Sequence, residues 1–196
     1  MPQLKNYYFD LFYRDVEPIV NSSNLWGVQG EYVTDSEHIG YTNWVSDKGV
    51  LQTAIPNGED VVLHITSTNV ILDMDVVANA VEIGNEATLN ITENHSLQII
   101  ESFTLNGLMS VSNNHSLTNA AGTALQLNGT GTLNLSGEGT SGYLGTAENR
   151  GAFTIGKDLT VTTRGYTTGY IFANLTNAGT ITTKAGDLTL VRFAKI

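Results

Sequence analysis

The carboxylate pair Asp73 and Asp75 has a spacing that could serve acid–base chemistry. Both residues lie in the stretch Ile71-Leu72-Asp73-Met74-Asp75-Val76, where acidic and apolar residues alternate. In a strand, side chains at i and i+2 share one face, about 7 Å apart. That separation is within the roughly 5–9.5 Å found between the two carboxyl groups of glycoside hydrolases. The same alternation is typical of the solvent face of a half-buried strand, and we favour this interpretation over a catalytic one.

The histidines His95 and His115 are the residues with the best spacing for a metal site. They occupy the same position in the similar segments 93–97 (ENHSL) and 113–117 (NNHSL), 20 residues apart. Equivalent imidazoles, stacked in successive coils and repeated around a trimer, would offer nitrogen ligands to a metal. Stacked turn residues without a ligand are the simpler explanation of the spacing.

Two further histidines, His38 and His64, have no partner that the sequence reveals, and Glu138 lies in a Gly-Glu-Gly turn. No Gly-x-Ser-x-Gly segment marks a serine nucleophile. We therefore predict that the protein is not an enzyme and that it has no catalytic residue, no cofactor and no metal ligand.

The elements that position these residues are predicted to be short strands. Hydrophobic residues make up 41% of the 196 residues and charged residues only 14%, and the missing charge is replaced by Thr, Asn, Ser and Gly. This composition disfavours helices, since Thr is stiff at χ1 and Asn, Ser and Gly favour turns. The composition therefore indicates an all-β protein.

Repeated strand patterns favour a parallel β-helix (β-solenoid) over the alternative, a β-sandwich. The segments 87–91, 103–107 and 131–135 share one pattern, and 81–86 resembles 153–158. Coils of about 20 residues would stack each strand on its equivalent about 4.8 Å away, which predicts about seven coils after residue 57. The period of two then predicts which side chains point inward and which point outward. The inward set is Leu89, Leu105, Leu133 and Ile155, and the outward set is Thr88, Thr104, Thr132 and Thr154.

A change of composition divides the chain into residues 1–48, an aromatic-rich N-terminal arm or cap, and residues 49–196, the β-helix body. All three prolines, both tryptophans and five of the eight tyrosines lie in the first 56 residues. The first segment is interpreted either as a cap on the end of the body or as an anchor that docks onto a partner, because buried Tyr and Trp dominate interface energetics.

The charge distribution excludes one class of partner and suggests another. The net charge is −10, which argues against nucleic-acid binding through phosphates. Residues 49–149 hold ten acidic and no basic side chains, whereas residues 150–196 hold two acidic and six basic ones. An acidic middle could meet the basic end of a neighbouring subunit. No apolar run approaches the roughly 20 residues that span a bilayer, so membrane insertion is not expected.

The segment Asn174-Leu175-Thr176-Asn177-Ala178-Gly179-Thr180-Ile181-Thr182-Thr183 resembles the coil repeat of filamentous-haemagglutinin-type adhesins and autotransporter passengers. Bacteriophage tailspikes and tail fibres use similar Gly-, Thr- and Asn-rich β-helices. The resemblance is one of pattern, covers residues 60–196 at most and carries over no catalytic residue. It implies a parallel β-helix at an exterior location.

This resemblance leads us to expect a structural component of a phage appendage (tail fibre, tailspike or head-fibre-like), assembled in the host cytoplasm. The expected partners are further copies of the chain in a homotrimer, other virion proteins at the N-terminal segment, and a cell-surface glycan or protein receptor. The N-terminus does not read as a signal peptide, which favours the phage interpretation over a bacterial surface or secreted adhesin. A polysaccharide depolymerase using Asp73, Asp75 or Glu138 is the third interpretation.

The last residues of the chain also predict self-association. Residues 188–196 (LTLVRFAKI) are apolar and basic, whereas the exposed end of a solenoid needs a polar cap. We therefore expect another subunit to cover this end.

Overall fold

The computed structural model of the protein describes residues 3–9, 29–30, 41–50, 52–91, 95–112, 114–120, 123–137, 140–146, 151–164, 167–184 and 186–191. All the secondary structure in these ranges is β, which confirms the predicted fold class. No helix that could cross a bilayer occurs in the part of the chain that is described.

The strands are short, as expected for a chain rich in Gly, Asn and Thr. In chain order they are β1 (Lys5–Phe9), β2 (Gln29–Gly30), β3 (Tyr41–Thr42), β4 (Trp44–Ser46), β5 (Gly58–Ile65), β6 (Val70–Leu72), β7 (Val76–Ile83), β8 (Thr88–Ile91), β9 (Ser96–Leu105), β10 (Leu108–Val111), β11 (His115–Asn119), β12 (Ala124–Asn128), β13 (Thr132–Asn134), β14 (Ser136–Gly137), β15 (Thr140–Leu144), β16 (Ala152–Ile155), β17 (Thr160–Thr163), β18 (Gly169–Phe172), β19 (Asn174–Asn177), β20 (Thr180–Thr183) and β21 (Leu188–Val191).

These strands wind into a parallel β-solenoid with two main sheets. A long sheet has 13 strands, and its main path runs β21-β18-β15-β11-β9-β7-β5-β1-β4. A short sheet has the order β20-β17-β13-β10-β8-β6. Every pairing within the short sheet is parallel, as are those that link successive coils in the long sheet. The β-helix prediction is therefore confirmed, and the β-sandwich alternative is wrong.

The long sheet divides into two halves after the third coil. β9 pairs with β11 through its first residues and with β12 through its last, so one strand of ten residues is followed by two shorter ones. The first half continues through β11, β15, β18 and β21, and the second half through β12, β16 and β19. The interior is therefore enclosed by three strands per coil in the later part of the solenoid.

Apolar side chains fill the interior in columns that run along the axis. In the short sheet the column is Val70, Leu89, Met109, Leu133, Val161 and Ile181. Leu89, Leu105, Leu133 and Ile155 are fully buried, while Thr88, Thr104, Thr132 and Thr154 are half-exposed. The predicted inward and outward sets are confirmed, although Leu105 and Ile155 belong to the long sheet and Leu89 and Leu133 to the short one.

The solenoid makes about five turns, not the seven predicted. The period of 20 residues holds where Leu97 pairs with Leu117, but Leu117 then pairs with Leu144 and Leu144 with Ile171. The longer coils accommodate the corner between the two halves of the long sheet. They also accommodate β14, which pairs antiparallel with the start of β15.

Glycines let successive coils approach closely at the corner between the second half of the long sheet and the short sheet. A Cβ on Gly107 would lie 2.2 Å from the carbonyl oxygen of Ala87, and one on Gly131 would lie 2.2 Å from that of Gly107. No side chain fits at such distances from backbone, so glycine is required at these two positions.

The N-terminal strand β1 extends the long sheet beyond the first coil. It pairs in parallel with β5 and antiparallel with β4, and Phe9 and Trp44 are fully buried with their rings edge-to-face at 5.2 Å. Most of residues 1–48 lie outside the described ranges, so the division of the chain at residue 48 remains a prediction.

Candidate functional site

The two aspartates singled out by spacing lie in a connection, not in a strand. β6 ends at Leu72 and β7 begins at Val76, so the prediction that both sit on one face of a strand is wrong. Asp73 is half-buried and Asp75 is exposed. The bend between the strands replaces the regular i, i+2 geometry on which the catalytic interpretation depended.

The Asp75 side chain holds successive coils together. Its Oδ1 accepts a hydrogen bond from the backbone N–H of Ser96 at 2.7 Å and from Ser96 Oγ at 3.1 Å. Asn57 Nδ2 donates to the Asp75 carbonyl oxygen at 3.3 Å, while Asn57 Oδ1 accepts from the backbone N–H of Val77 at 2.8 Å. The bonds from Ser96 give the Asp75 carboxylate a structural role at the corner that precedes β7, and Asn57 holds the backbone of the same corner.

His95 and His115 occupy equivalent positions, as predicted, but their surroundings differ. Ser96 and Ser116, the residues that follow them, pair in register between β9 and β11. His95 is half-exposed, with Nδ1 3.9 Å from Asp75 Oδ1, whereas His115 points inward and is buried. Within the described ranges, no group of three or more His, Asp or Glu side chains is placed to hold a metal ion.

His64 has partners that the sequence did not reveal. Its ring stacks on Tyr8 with centroids 4.5 Å apart and planes 12° apart. Nδ1 lies 3.1 Å from Glu82 Oε2, and Nε2 lies 3.1 Å from Asn6 Oδ1. His64 therefore joins three neighbouring strands, β1, β5 and β7, on the outer face of the long sheet. The other candidates, His38 and Glu138, lie outside the described residues.

An ion pair adds a second link between β1 and the first coil. Lys5 Nζ lies 2.7 Å from Asp60 Oδ2. The hydrogen bond from Lys5 holds the pKa of Asp60 below its ordinary value, and the same hydrogen bond raises the pKa of Lys5. Both groups are open to solvent, so the pair stabilises this end of the molecule only weakly.

An aromatic cluster covers part of the outer face in the late coils. The rings of Tyr143 and Tyr170 lie 5.5 Å apart, and Phe172 is 5.7 Å from the first and 5.8 Å from the second. Tyr143 Oη also donates a hydrogen bond to Asn114 Oδ1 at 3.1 Å. Tyr143 and Tyr170 are paired neighbours in β15 and β18, a register that spacing in the sequence does not reveal.

The last described coil exposes side chains whose equivalents elsewhere are buried. Leu97, Leu117, Leu144 and Ile171 form a buried column in the first half of the long sheet, but Leu190, next in that column, is 51% exposed. Leu175, Ile181 and Leu188 are only partly buried. Residues 192–196, on which the prediction of a covered end also rested, lie outside the described ranges.

A groove of about 420 Å³ lies at the opposite tip of the molecule, and we call it the tip groove. One wall is residues 3–7, which include the first part of β1, and the other is formed by residues 46–48, 50 and 52 around the turn after β4. Leu4 and Val50, which line the tip groove, are 44% and 57% exposed. Neither residue belonged to a motif that could have marked it in the sequence.

Comparisons of the chain with protein-family models, with curated proteins and with solved structures find no match. The class of protein is therefore defined by the fold alone, which is a parallel β-solenoid.

Proposed function

We propose that the protein is a structural component of a phage appendage, such as a tail fibre, a tailspike or a head fibre. The N-terminal segment would dock to the particle, and the β-solenoid would form the exposed shaft or the receptor-facing surface. In this proposal the protein catalyses no reaction and is assembled in the host cytoplasm.

The observation that carries this proposal is the half-exposed interior of the last described coil. Leu190 and Ile181 continue columns that are buried in all earlier coils. Each of β19, β20 and β21 pairs with a neighbour on one side only among the described strands. Strand edges with uncovered apolar side chains favour the addition of further β-structure, which is how a shaft is built. We propose that a homotrimer supplies it.

A bacterial surface or secreted adhesin is the second candidate, and the aromatic cluster of Tyr143, Tyr170 and Phe172 favours it. Aromatic rings on an outer face are typical of binding surfaces, because they offer a large apolar area and a polar tip. A glycan or protein receptor would fit such a surface in either candidate function.

Fractionation of the encoding organism tests the proposal. We expect mass spectrometry to detect the chain in purified virus particles, at a copy number that is a multiple of three. Detection in the cell-surface or secreted fraction without particles would favour the adhesin instead. Release of reducing sugar from capsule polysaccharide, abolished in the variant Asp73→Asn, would contradict both and favour a depolymerase.

A further inference from the structure

We infer that Asn128 is a modification site, at which the folded chain deamidates spontaneously to aspartate and isoaspartate. The chain contains three Asn-Gly dipeptides, Asn57-Gly58, Asn106-Gly107 and Asn128-Gly129, which the sequence alone does not rank. The structure ranks them, because it restrains the three side-chain amides to different degrees.

The reaction at an Asn-Gly dipeptide needs no reactant other than water. The backbone nitrogen of the glycine attacks Cγ of the asparagine and forms a new N–C bond, while Nδ2 leaves as ammonia with the proton of the glycine N–H. Water then opens the cyclic imide at either of its carbonyl carbons, which gives aspartate or isoaspartate without oxidation or reduction. Glycine favours the first step because it has no Cβ to obstruct the attack.

The side-chain amide of Asn128 is the least restrained of the three. Both amide atoms of Asn57 bond to backbone groups around the start of β7, at 3.3 and 2.8 Å. Asn106 Oδ1 accepts a hydrogen bond from the backbone N–H of Thr130 at 3.3 Å. The amide of Asn128 forms no hydrogen bond with any residue that the structure describes, and Asn128 and Gly129 are both half-exposed to water. Cγ of Asn128 can therefore move towards the glycine nitrogen without the loss of a hydrogen bond.

The backbone at Asn128 also has more room to turn than at the other two sites. Attack requires the asparagine to rotate out of the extended conformation. Asn128 is the last residue of β12, and residues 129–131 lie outside any strand before β13 begins at Thr132. By contrast, β10 begins two residues after Asn106, and β5 begins at Gly58, directly after Asn57. A strand end beside a longer connection opens locally more often than one beside a short connection.

Packing requires the glycine that makes Asn128 reactive. Gly129 has a φ of +108°, and a Cβ at this position would lie 2.1 Å from the carbonyl oxygen of Leu105. Only glycine fits such a conformation and such a contact. The corner of the coil therefore places a glycine directly after an asparagine whose amide is unbonded.

Deamidation would put a negative charge on an uncharged part of the surface. The strands β12, β16 and β19, which continue the second half of the long sheet, contain no charged residue. Asn128 is paired with Thr104 of β9 in this half of the sheet. Isoaspartate would also add one carbon to the backbone at the end of β12. The modified chain should therefore be retained longer on an anion-exchange column.

Peptide mapping of the full chain by mass spectrometry tests the inference. The folded chain is held in mildly alkaline buffer made with heavy-oxygen water, which labels each carboxylate formed during the incubation, and electron-transfer fragmentation separates aspartate from isoaspartate. We expect Asn128 to convert about fivefold faster than Asn106, because the hydrogen bond to Asn106 Oδ1 must break before its amide can move. Asn57, which is held by two hydrogen bonds, should convert most slowly.

The same three dipeptides in the chain unfolded in urea are the matched control. They should convert there at similar rates, because the hydrogen bonds and turns that separate them are lost. The variant Asn128→Gln is the second control, since its longer side chain forms the cyclic imide far more slowly. This variant should remove the modification at position 128 and leave the rates at Asn57 and Asn106 unchanged.

Two results would overturn the inference. One is conversion of Asn57 or Asn106 in the folded chain at least as fast as that of Asn128. The other is no conversion of Asn128 in the folded chain over a period in which the unfolded chain reacts at all three dipeptides.

Discussion

At the scale of single residues, stability comes from interior columns in which each side chain is packed between two coils. Leu133 lies between Met109 and Val161 and is fully buried. We predict that Leu133→Ala lowers the free energy of unfolding by about 2–5 kcal/mol, because it removes buried methyl groups and leaves a cavity. Thr132→Ala, on the adjacent outward position, should cost less than about 1 kcal/mol. Equal small effects in urea denaturation would contradict the assignment of the faces.

The glycine corner gives a second residue-scale prediction. Gly107→Ala should lower the unfolding free energy by about 1–3 kcal/mol, since the new Cβ would meet the carbonyl oxygen of Ala87 at 2.2 Å. Gly84→Ala is the matched control one coil earlier, where the nearest atom is the carbonyl oxygen of Ile65 at 3.5 Å. This control should change the unfolding free energy by less than about 1 kcal/mol. Thermal denaturation of both variants makes the comparison, and similar losses would argue against the close approach of coils at this corner.

Burial of individual residues was predictable from the sequence, whereas their partners were not. The period of two in a strand identified Leu89 and Leu133 as inward residues without knowledge of the register. The contacts of His64 were not predictable, because Tyr8 and Glu82 lie in other strands and meet it only through strand pairing. The Asp73 and Asp75 pair was misassigned to a strand since alternation of residue types continues through the bend after β6.

At the scale of elements, the Lys5–Asp60 ion pair between β1 and β5 makes the stability of this attachment depend on pH. The pKa of Asp60 is lowered by Lys5, so its contribution to stability is complete above the unfolded-state pKa of about 4 and is lost as the pH falls further. The pKa of Lys5 is raised, so its contribution is complete below about pH 10 and is lost above its folded-state pKa.

We therefore predict that Asp60→Asn lowers the melting temperature slightly and by the same amount throughout pH 5–9. The difference between the variant and the unchanged protein should shrink as the pH falls below about 4, because Asp60 then takes up a proton first in the unfolded state and, at still lower pH, in the folded state as well. Differential scanning calorimetry at several pH values measures this, with Glu59→Gln on the adjacent position as the control. A difference that grows towards low pH would contradict the predicted sign.

The 20-residue period predicts too many coils because the later coils are longer than 20 residues. The 20-residue spacing of the two His-Ser-Leu segments is real, and Leu97 pairs with Leu117. The next coil contains an added corner, where Asn119 Nδ2 donates to the Thr123 carbonyl at 2.8 Å, and an antiparallel excursion at β14. Such insertions at corners leave the strand pattern intact, so the sequence predicts the type of coil better than its length.

At the scale of the whole molecule, the two ends differ in what they expose. The first two coils, residues 58–91, carry six acidic side chains and no basic one, and their interior residues Val70 and Leu72 are fully buried. The last described coil exposes part of its interior and lies in the basic region of the chain. Association of copies side by side and in the same direction would bring the acidic coils together, whereas copies in opposite directions would pair acidic with basic coils. Charge therefore restricts the geometry of any assembly.

The last described coil leaves Leu190 half-exposed, and a second copy of the chain could cover it. We therefore predict that the chain is not a monomer at micromolar concentration. A trimer is expected, so light scattering coupled to size-exclusion chromatography should give about three times the chain mass of 21.1 kDa. Leu190→Asp should shift the population towards the monomer, because it places a charge on an apolar edge that a neighbouring copy would have to bury. Gln126→Asp, a similar change on the exposed outer face of β12, is the control and should leave the mass unchanged. A stable species of 21 kDa would count against assembly through this end, since half-exposed leucines would then be tolerated in solution without a partner.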